Sequence, residues 1–235
     1  MIDPSSSQTR PEPPAAVIFD LDGVFRQWND ERLDEVERSF GLEPKTILNV
    51  AFSAELGRPA MTGALTYREW MDEIRTRVTA EHGDGCVGAL DLWEANVGLV
   101  DDDMVDLLRS VRSSTTVALL SNGTTRLRRD LHVLDLLDEF DVIFNTAEIG
   151  YAKPDPEIFL HVLDALEVTP IQAVFIDDLA DNVDGAEQVG ITAHRHVHRE
   201  GTATFLRSRG LAIPGGVPQS ARSGPAHPGS LRPDR

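Results

Sequence analysis

Three observations predict an α/β fold built on a parallel sheet. Apolar runs at Ala15–Phe19, Thr116–Leu120 and Ala173–Ile176 have strand length and read as strands buried on both faces. From Asp103 onward, segments with apolar residues at helical spacing alternate with such runs, the pattern of strand-helix-strand units with right-handed crossovers. Each of the three runs also stops at a polar cluster: Asp20 and Asp22, Ser121 and Asn122, Asp177 and Asp178. Sheets of this kind bind ligands beyond the carboxyl ends of their strands.

Taken in order, Met1–Pro14 is rich in Ser and Pro and is expected to be disordered. After the first strand, Asp30–Phe40 carries Leu33, Val36 and Phe40 at helical spacing and stops at Gly41. Pro44 opens a helix through Ile47, Leu48 and Ala51. Thr66 and Glu69 have capping-box spacing, and Trp70, Ile74 and Val78 continue that helix's apolar stripe. A further helix is expected over Cys86–Ala95. Residues 26–100 therefore read as an all-helical insert that divides the sheet core into residues 15–25 and 101–210.

Beyond the insert, Met104, Leu107, Leu108 and Val111 mark one face of a helix over Asp103–Val111. Thr125–Leu137 reads as a helix and Asp141–Asn145 as a strand. Asp155 and Pro156 open another helix, the aspartate as N-cap and the proline in the first turn, with Ile158, Phe159, Val162, Leu163 and Leu166 facing inward. A helix ending near Gly190 precedes a last strand over Ile191–Val197. From Leu211 to Arg235, Gly, Pro, Ser and Arg dominate, and a disordered tail is expected.

Composition narrows the partners. The chain has 235 residues, 41% hydrophobic and 26% charged, as in an ordinary soluble protein. Its formal net charge of −17 argues against nucleic acid or an anionic membrane as the main partner. An anionic substrate must then be met by a local positive site. Cys86 is the only cysteine, which excludes an internal disulfide. No apolar run has transmembrane length and the opening lacks a signal-peptide core, so a cytoplasmic enzyme acting as a monomer or homodimer is expected.

The polar strand ends carry the chemistry. Two carboxylates as close as Asp20 and Asp22 repel unless a cation lies between them or one holds a proton. Mg²⁺, which takes oxygen ligands and keeps several waters, suits such a pair. A fourth polar element, Lys153, lies in the loop Gly150-Tyr151-Ala152-Lys153-Pro154. Each element alone has a plain reading. The aspartates can be a solvated loop, Ser121-Asn122-Gly123 a turn or helix cap, Lys153 a solvated side chain, and Asp177-Asp178 a cap. Their joint occurrence, in a chain whose only lysines are Lys45 and Lys153, favours one shared site.

Phe19-Asp20-Leu21-Asp22-Gly23-Val24, Ser121-Asn122, Lys153-Pro154 and Phe175-Ile176-Asp177-Asp178, in that order, resemble the four motifs of the haloacid dehalogenase-like (HAD) hydrolase superfamily. The insert resembles the helical cap of the subfamily that includes phosphoglycolate phosphatase, β-phosphoglucomutase and the phosphatase domain of epoxide hydrolase. The resemblance implies a Rossmann-like core with an inserted cap domain. It also implies a Mg²⁺-dependent phosphatase that hydrolyses a small phosphorylated metabolite through an aspartyl-phosphate. Asp20 would be the nucleophile, and Asp22 the general acid and then base. Lys153 would balance charge on the phosphate and Asp20, while Ser121, Asn122 and Gly123 would hold phosphate oxygens. The metal would rest on Asp20, Asp178 and Asp22, the last lending its backbone carbonyl, with Asp177 a supporting or alternative ligand. Dehalogenases proper lack the second aspartate, present here as Asp22, so phosphoryl transfer is expected. A phosphomutase and a catalytically idle binding module remain the alternatives.

Weaker signals stay open. His194, His196 and His198 alternate and would share one strand face, as a metal site or as an edge strand. Arg126, Arg128 and Arg129 would draw anions or form a solvated helix face. Arg26, Gln27, Trp28 and Arg58 are candidates for substrate contact or for cap packing, and Trp70 and Trp93 for cap core.

Overall fold

The computed structural model describes residues 12–214. The expected disorder of residues 1–11 and 215–235 lies outside the described residues. A five-stranded parallel sheet forms the centre, from β1 (Ala16–Phe19), β4 (Thr116–Ser121), β5 (Val142–Asn145), β6 (Ala173–Asp177) and β7 (Thr192–Arg195), in the order β5-β4-β1-β6-β7. The chain is a Rossmann-like α/β fold.

Strand side chains alternate between the two faces, and the core divides accordingly. Val17 and Phe19 of β1, Val117 and Leu119 of β4, and Val174 and Ile176 of β6 face one layer. That layer contains α6 (Asp102–Arg112), α7 (Leu127–Val133) and α11 (Arg199–Ser208). Ile18, Ala118, Leu120 and Phe175 face the other, with α9 (Pro156–Ala165) and α10 (Ala180–Gln188). Burial on both faces explains why these strands read as continuous apolar runs.

Between β1 and α6 lie α1 (Asp30–Ser39), α2 (Thr46–Ala51), α3 (Gly57–Met61), α4 (Tyr67–His82) and α5 (Val87–Ala95). They enclose a separate core of Ile47, Trp70, Met71, Ile74, Val78 and Leu90 among others. Residues 26–100 are not all helical. β2 (Arg26–Gln27) and β3 (Leu99–Val100) pair antiparallel where the segment leaves and rejoins the sheet.

Several boundaries differ from expectation for local reasons. Thr66 and Glu69 form the expected capping box on α4. Helix α2 begins at Thr46 rather than at Pro44, because Lys45 takes a left-handed conformation at φ 67°. No side chain from its own turn caps it; the buried Glu37 carboxylate accepts from Ile47 N at 2.7 Å and from Lys45 N. Helix α7 covers half of the expected Thr125–Leu137, since Asp135 at φ 55° is left-handed and ends it. The last strand shortens to Thr192–Arg195, and α11, unforeseen, follows it. Leu211 and Ile213, expected in the tail, are instead buried in the core with Leu206 of α11. Pro14, at the opposite end, accepts a bond from Thr115 Oγ1 at 2.6 Å.

Candidate active site

All five strands run the same way, so Asp20, Ser121, Asn145 and Asp177 fall on one sheet edge. Asp20 follows β1 directly, its amide held by the Ile176 carbonyl at 2.8 Å. Its side chain is only 8% exposed, and Oδ1 accepts from Lys153 Nζ at 2.6 Å. The same ammonium donates to Asp177 Oδ2 at 2.7 Å. Burial works against the lysine's charge, but Asp20 and Asp177 outweigh it and hold Lys153 protonated above its usual range. Asp20 moves the other way: burial, with the charges of Asp177 and Asp22, lifts its pKa to about 7 against the pull of Lys153.

Asn122 positions the lysine. Its Nδ2 donates to the Lys153 carbonyl and its Oδ1 accepts from the Lys153 amide, both at 2.9 Å. The Lys153–Pro154 peptide is cis. Asp155 stands at the N-cap of α9 as expected, yet it makes no side-chain cap there; Oδ2 pairs instead with Arg58 of α3 at 2.5 Å. Asp177 likewise does not cap α10. Its oxygens accept from Lys153, from the Leu179 amide at 2.9 Å and from Asn182 Nδ2 at 3.0 Å.

Asp22 is turned aside. Arg26 Nε and Nη2 grip its two oxygens at 2.7 and 2.9 Å, and Trp28 Nε1 donates to Oδ1 at 2.7 Å. Among the described residues, the acids whose oxygens lie within 4.8 Å of one another are Asp20, Asp177 and Asp178. Asp177, expected as a supporting or alternative ligand, stands in this cluster with Asp20 and Asp178, and Asp22, expected to lend its backbone carbonyl, adds no side-chain oxygen to it. Asp177 is fully buried and engaged by Lys153 and Asn182, whereas Asp178 lines the cavity and is shifted upward by burial and by Asp177.

This donor set fits a hard divalent cation, being oxygen throughout. Charge fits as well. Among the described residues, the cluster of Asp20, Asp177 and Asp178 has the Lys153 ammonium as its ion-pair partner, so acids outnumber cations there.

The acids open into a cavity of about 640 Å³ between the sheet edge and the helical segment. Asn122, Gly123 and Thr124 reach its wall; Ser121, buried, ends the strand leading to it and is not among the lining residues. Arg26, Gln27 and Trp28 line the cavity, whereas Arg58 does not. Trp70 and Trp93, expected as core, also form part of its wall. Arg126 is neither solvated nor unpaired: it meets Asp130 at 2.8 Å, donates to the Tyr67 hydroxyl and to the Glu94 carbonyl, and lines the cavity. Arg128 pairs with Glu148 at the surface. The alternating histidines tie β7 to α11. His194 stacks on Phe205, His196 Nδ1 meets Thr202 Oγ1 at 2.8 Å, and His198 accepts from the Gly201 amide. Sequence reasoning missed Asn182 and Asp130. The second had a signal, since it lies four residues after Arg126 on one helix face.

A family model for haloacid dehalogenase-like hydrolases matches residues 14–190. A phosphorylated carbohydrates phosphatase from Thermotoga maritima is 29% identical over 182 residues, covering 75% of this chain and 82% of the relative. The structure of a HAD family enzyme from Bacteroides thetaiotaomicron, in complex with magnesium and inorganic phosphate, matches with a TM-score of 0.64 at 24% identity, over 77% of this chain and 93% of that one. The L-2-haloacid dehalogenase from Xanthobacter autotrophicus matches at 0.60 and 21% identity, over 85% and 84%. At such identities the two structures share the fold and do not decide the reaction. With the family model spanning both sides of the helical segment and most of the chain, this protein belongs to the haloacid dehalogenase-like hydrolases.

Proposed function

We propose that this hydrolase is a Mg²⁺-dependent phosphatase that cleaves a small phosphate monoester through an aspartyl-phosphate on Asp20. The observation that carries this reading is the contact of Asp20 with Lys153 on the floor of the cavity, beside Asp178 and below Asp22 in sequence order. Mg²⁺ held by Asp20, Asp178 and the Asp22 carbonyl would let an anionic nucleophile approach an anionic phosphate. The Asp20 carboxylate attacks phosphorus, and Lys153 balances the gathering charge. Ser121 and the amides of Asn122 and Gly123 hold phosphate oxygens.

Asp22 gives its proton to the departing alkoxide, then takes one from the water that hydrolyses the aspartyl-phosphate. Arg26 and Trp28 hold both oxygens of the Asp22 carboxylate in the resting arrangement, so Asp22 acts after it turns from them and takes up from solvent the proton it delivers to the leaving oxygen. The helical segment serves as a cap that excludes bulk water during these steps. No helix among the described residues is long and apolar enough to cross a membrane, and the setting we assign is the cytoplasm. The presence of Asp22 favours phosphate esters over haloacids as substrates.

The test is phosphate release from p-nitrophenyl phosphate and a panel of small esters. Wild type should release phosphate only with Mg²⁺, and EDTA or Asp20→Asn should abolish release. A folded, Mg²⁺-loaded protein that releases none, or an Asp20→Asn variant that keeps its rate, would refute the assignment.

A further inference from the structure

We propose that the alcohol part of the substrate is a predominantly apolar chain or ring, not a polyhydroxylated sugar and not a molecule with a second acidic group. This rests on the phosphatase reading and narrows it.

A cavity of about 640 Å³ has the size of a site for a drug-sized ligand, far more than one phosphate needs. Above the acidic floor its wall is built by Trp28, Leu48, Phe52, Tyr67, Trp93 and Leu179. Four of these are large apolar side chains left open: Trp28 at 40% exposure, Leu48 at 37%, Phe52 at 51% and Leu179 at 56%. Scattered apolar residues on a surface mean little, but several converging on one cavity beside reactive groups mark a binding surface.

The arginine side chains are committed elsewhere. Arg26 is held by Asp22, with its guanidinium 4.7 Å over the Trp28 ring. Arg126 is held by Asp130, with its guanidinium 4.3 Å over the Tyr67 ring. In the resting arrangement both cations that could receive a carboxylate or second phosphate are thus already neutralised and stacked, and once Asp22 turns away Arg26 still faces Asp130 at 3.7 Å. Arg26 Nη1 is buried without a hydrogen-bond acceptor, yet it lies 3.7 Å from Asp130, so it offers room for one oxygen rather than for a polyol. Gln27 and Asp30 also line the cavity and are exposed to solvent. A sugar would leave several hydroxyls facing aromatic and aliphatic walls, and unpaired polar groups are costly to bury.

The test is kcat/KM over n-alkyl monophosphates from ethyl to octyl, with glucose 6-phosphate and 3-phosphoglycerate alongside. Each buried methylene is worth about fourfold. The octyl ester should therefore exceed the ethyl ester, and either polar ester, by at least 100-fold. Leu48→Asn combined with Phe52→Ser should reduce the octyl-to-ethyl ratio at least tenfold, with the circular dichroism melting curve confirming the fold. A flat series, or preference for either polar ester, overturns the proposal while leaving the phosphatase intact. If no ester is cleaved, the phosphatase reading fails on its own. The pocket is then judged by binding to the Asp20→Asn protein, read from fluorescence of Trp28, Trp70 and Trp93. Octyl phosphate binding at least 100-fold tighter than glucose 6-phosphate supports the proposal, and equal binding overturns it.

Discussion

Gly23 stands between two of the acids and has no substitute. Its φ of +74° is the left-handed region, and a Cβ there would sit 2.3 Å from Asp178 Oδ2. An alanine would pay about 1–2 kcal/mol in backbone strain and drive the Asp178 carboxylate out of place. Gly23→Ala should therefore weaken Mg²⁺ binding and cut phosphate release by at least 100-fold, while the protein still melts cooperatively. Calorimetric titration of Mg²⁺ beside the activity assay checks both; unchanged Mg²⁺ affinity would show that Asp178 is not a ligand. Residues of this kind were legible because each stands at the end of an apolar run or next to one. Asp20, Asp22 and Asp178 stand at predicted strand ends, but the preference for Asp178 over Asp177 and the part given to Lys153 come from the resemblance of the four motifs to the family. Their supports were legible in neither way. Asn122 grips the main chain of Lys153 across a separation of 31 residues, and Asn182 reaches back to Asp177 from the first turns of α10. Side-chain contacts made through folding leave no period or spacing in the sequence.

At the scale of elements, the helical segment rests on the core through few points. Gly63, after α3, approaches so closely that a Cβ would lie 2.1 Å from the Ala147 carbonyl of α8 (Thr146–Ile149), and its φ is +73°. Tyr67 N, at the head of α4, donates to Thr125 Oγ1 at 2.8 Å, and Arg58 pairs with Asp155. These contacts differ in weight. The Arg58 side chain is 60% exposed, so Arg58→Ala should change stability by less than about 1 kcal/mol and leave turnover nearly untouched. Gly63→Val cannot be absorbed, because it meets backbone rather than a flexible side-chain end. It should lift α3 from α8 and raise KM about tenfold, whereas a variant that still turned over at the wild-type KM would deny these contacts any part in the closure proposed for the helical segment. Helix α4 was readable because its capping box and stripe lie within its own residues. Helix α2 was misplaced because its cap comes from Glu37 on a different helix, and α7 was overextended because a left-handed aspartate carries no stop signal of the kind a glycine does. The two-residue strands β2 and β3 are too short to show any period.

The whole molecule sets the field in which the site works. Parallel strands brought the polar ends to one edge without the strand order being known, so convergence was legible while the order β5-β4-β1-β6-β7 was not. Charge was legible in full, and it has a kinetic consequence. With 39 acidic against 22 basic residues, the formal net charge is −17 at pH 7. The phosphate ester proposed as substrate is itself an anion, so the protein's field would oppose its approach until it reached Lys153 and the cation proposed beside it. The same field gathers Mg²⁺. Raising monovalent salt from about 10 to 100 mM shortens the screening length from roughly 30 to 10 Å, which removes most of the long-range repulsion but little of the contact at the buried lysine. With free Mg²⁺ saturating at every salt concentration, kcat/KM should therefore rise two- to fivefold over that range, mainly through a lower KM. The Kd for Mg²⁺ should rise over the same range, because its attraction is screened too. The pairing is the discriminating feature: turnover improves while Mg²⁺ binding weakens, whereas a general effect of salt on stability would improve or impair both together. A kcat/KM that fell with salt would mean that local cations, not the net charge, govern the encounter.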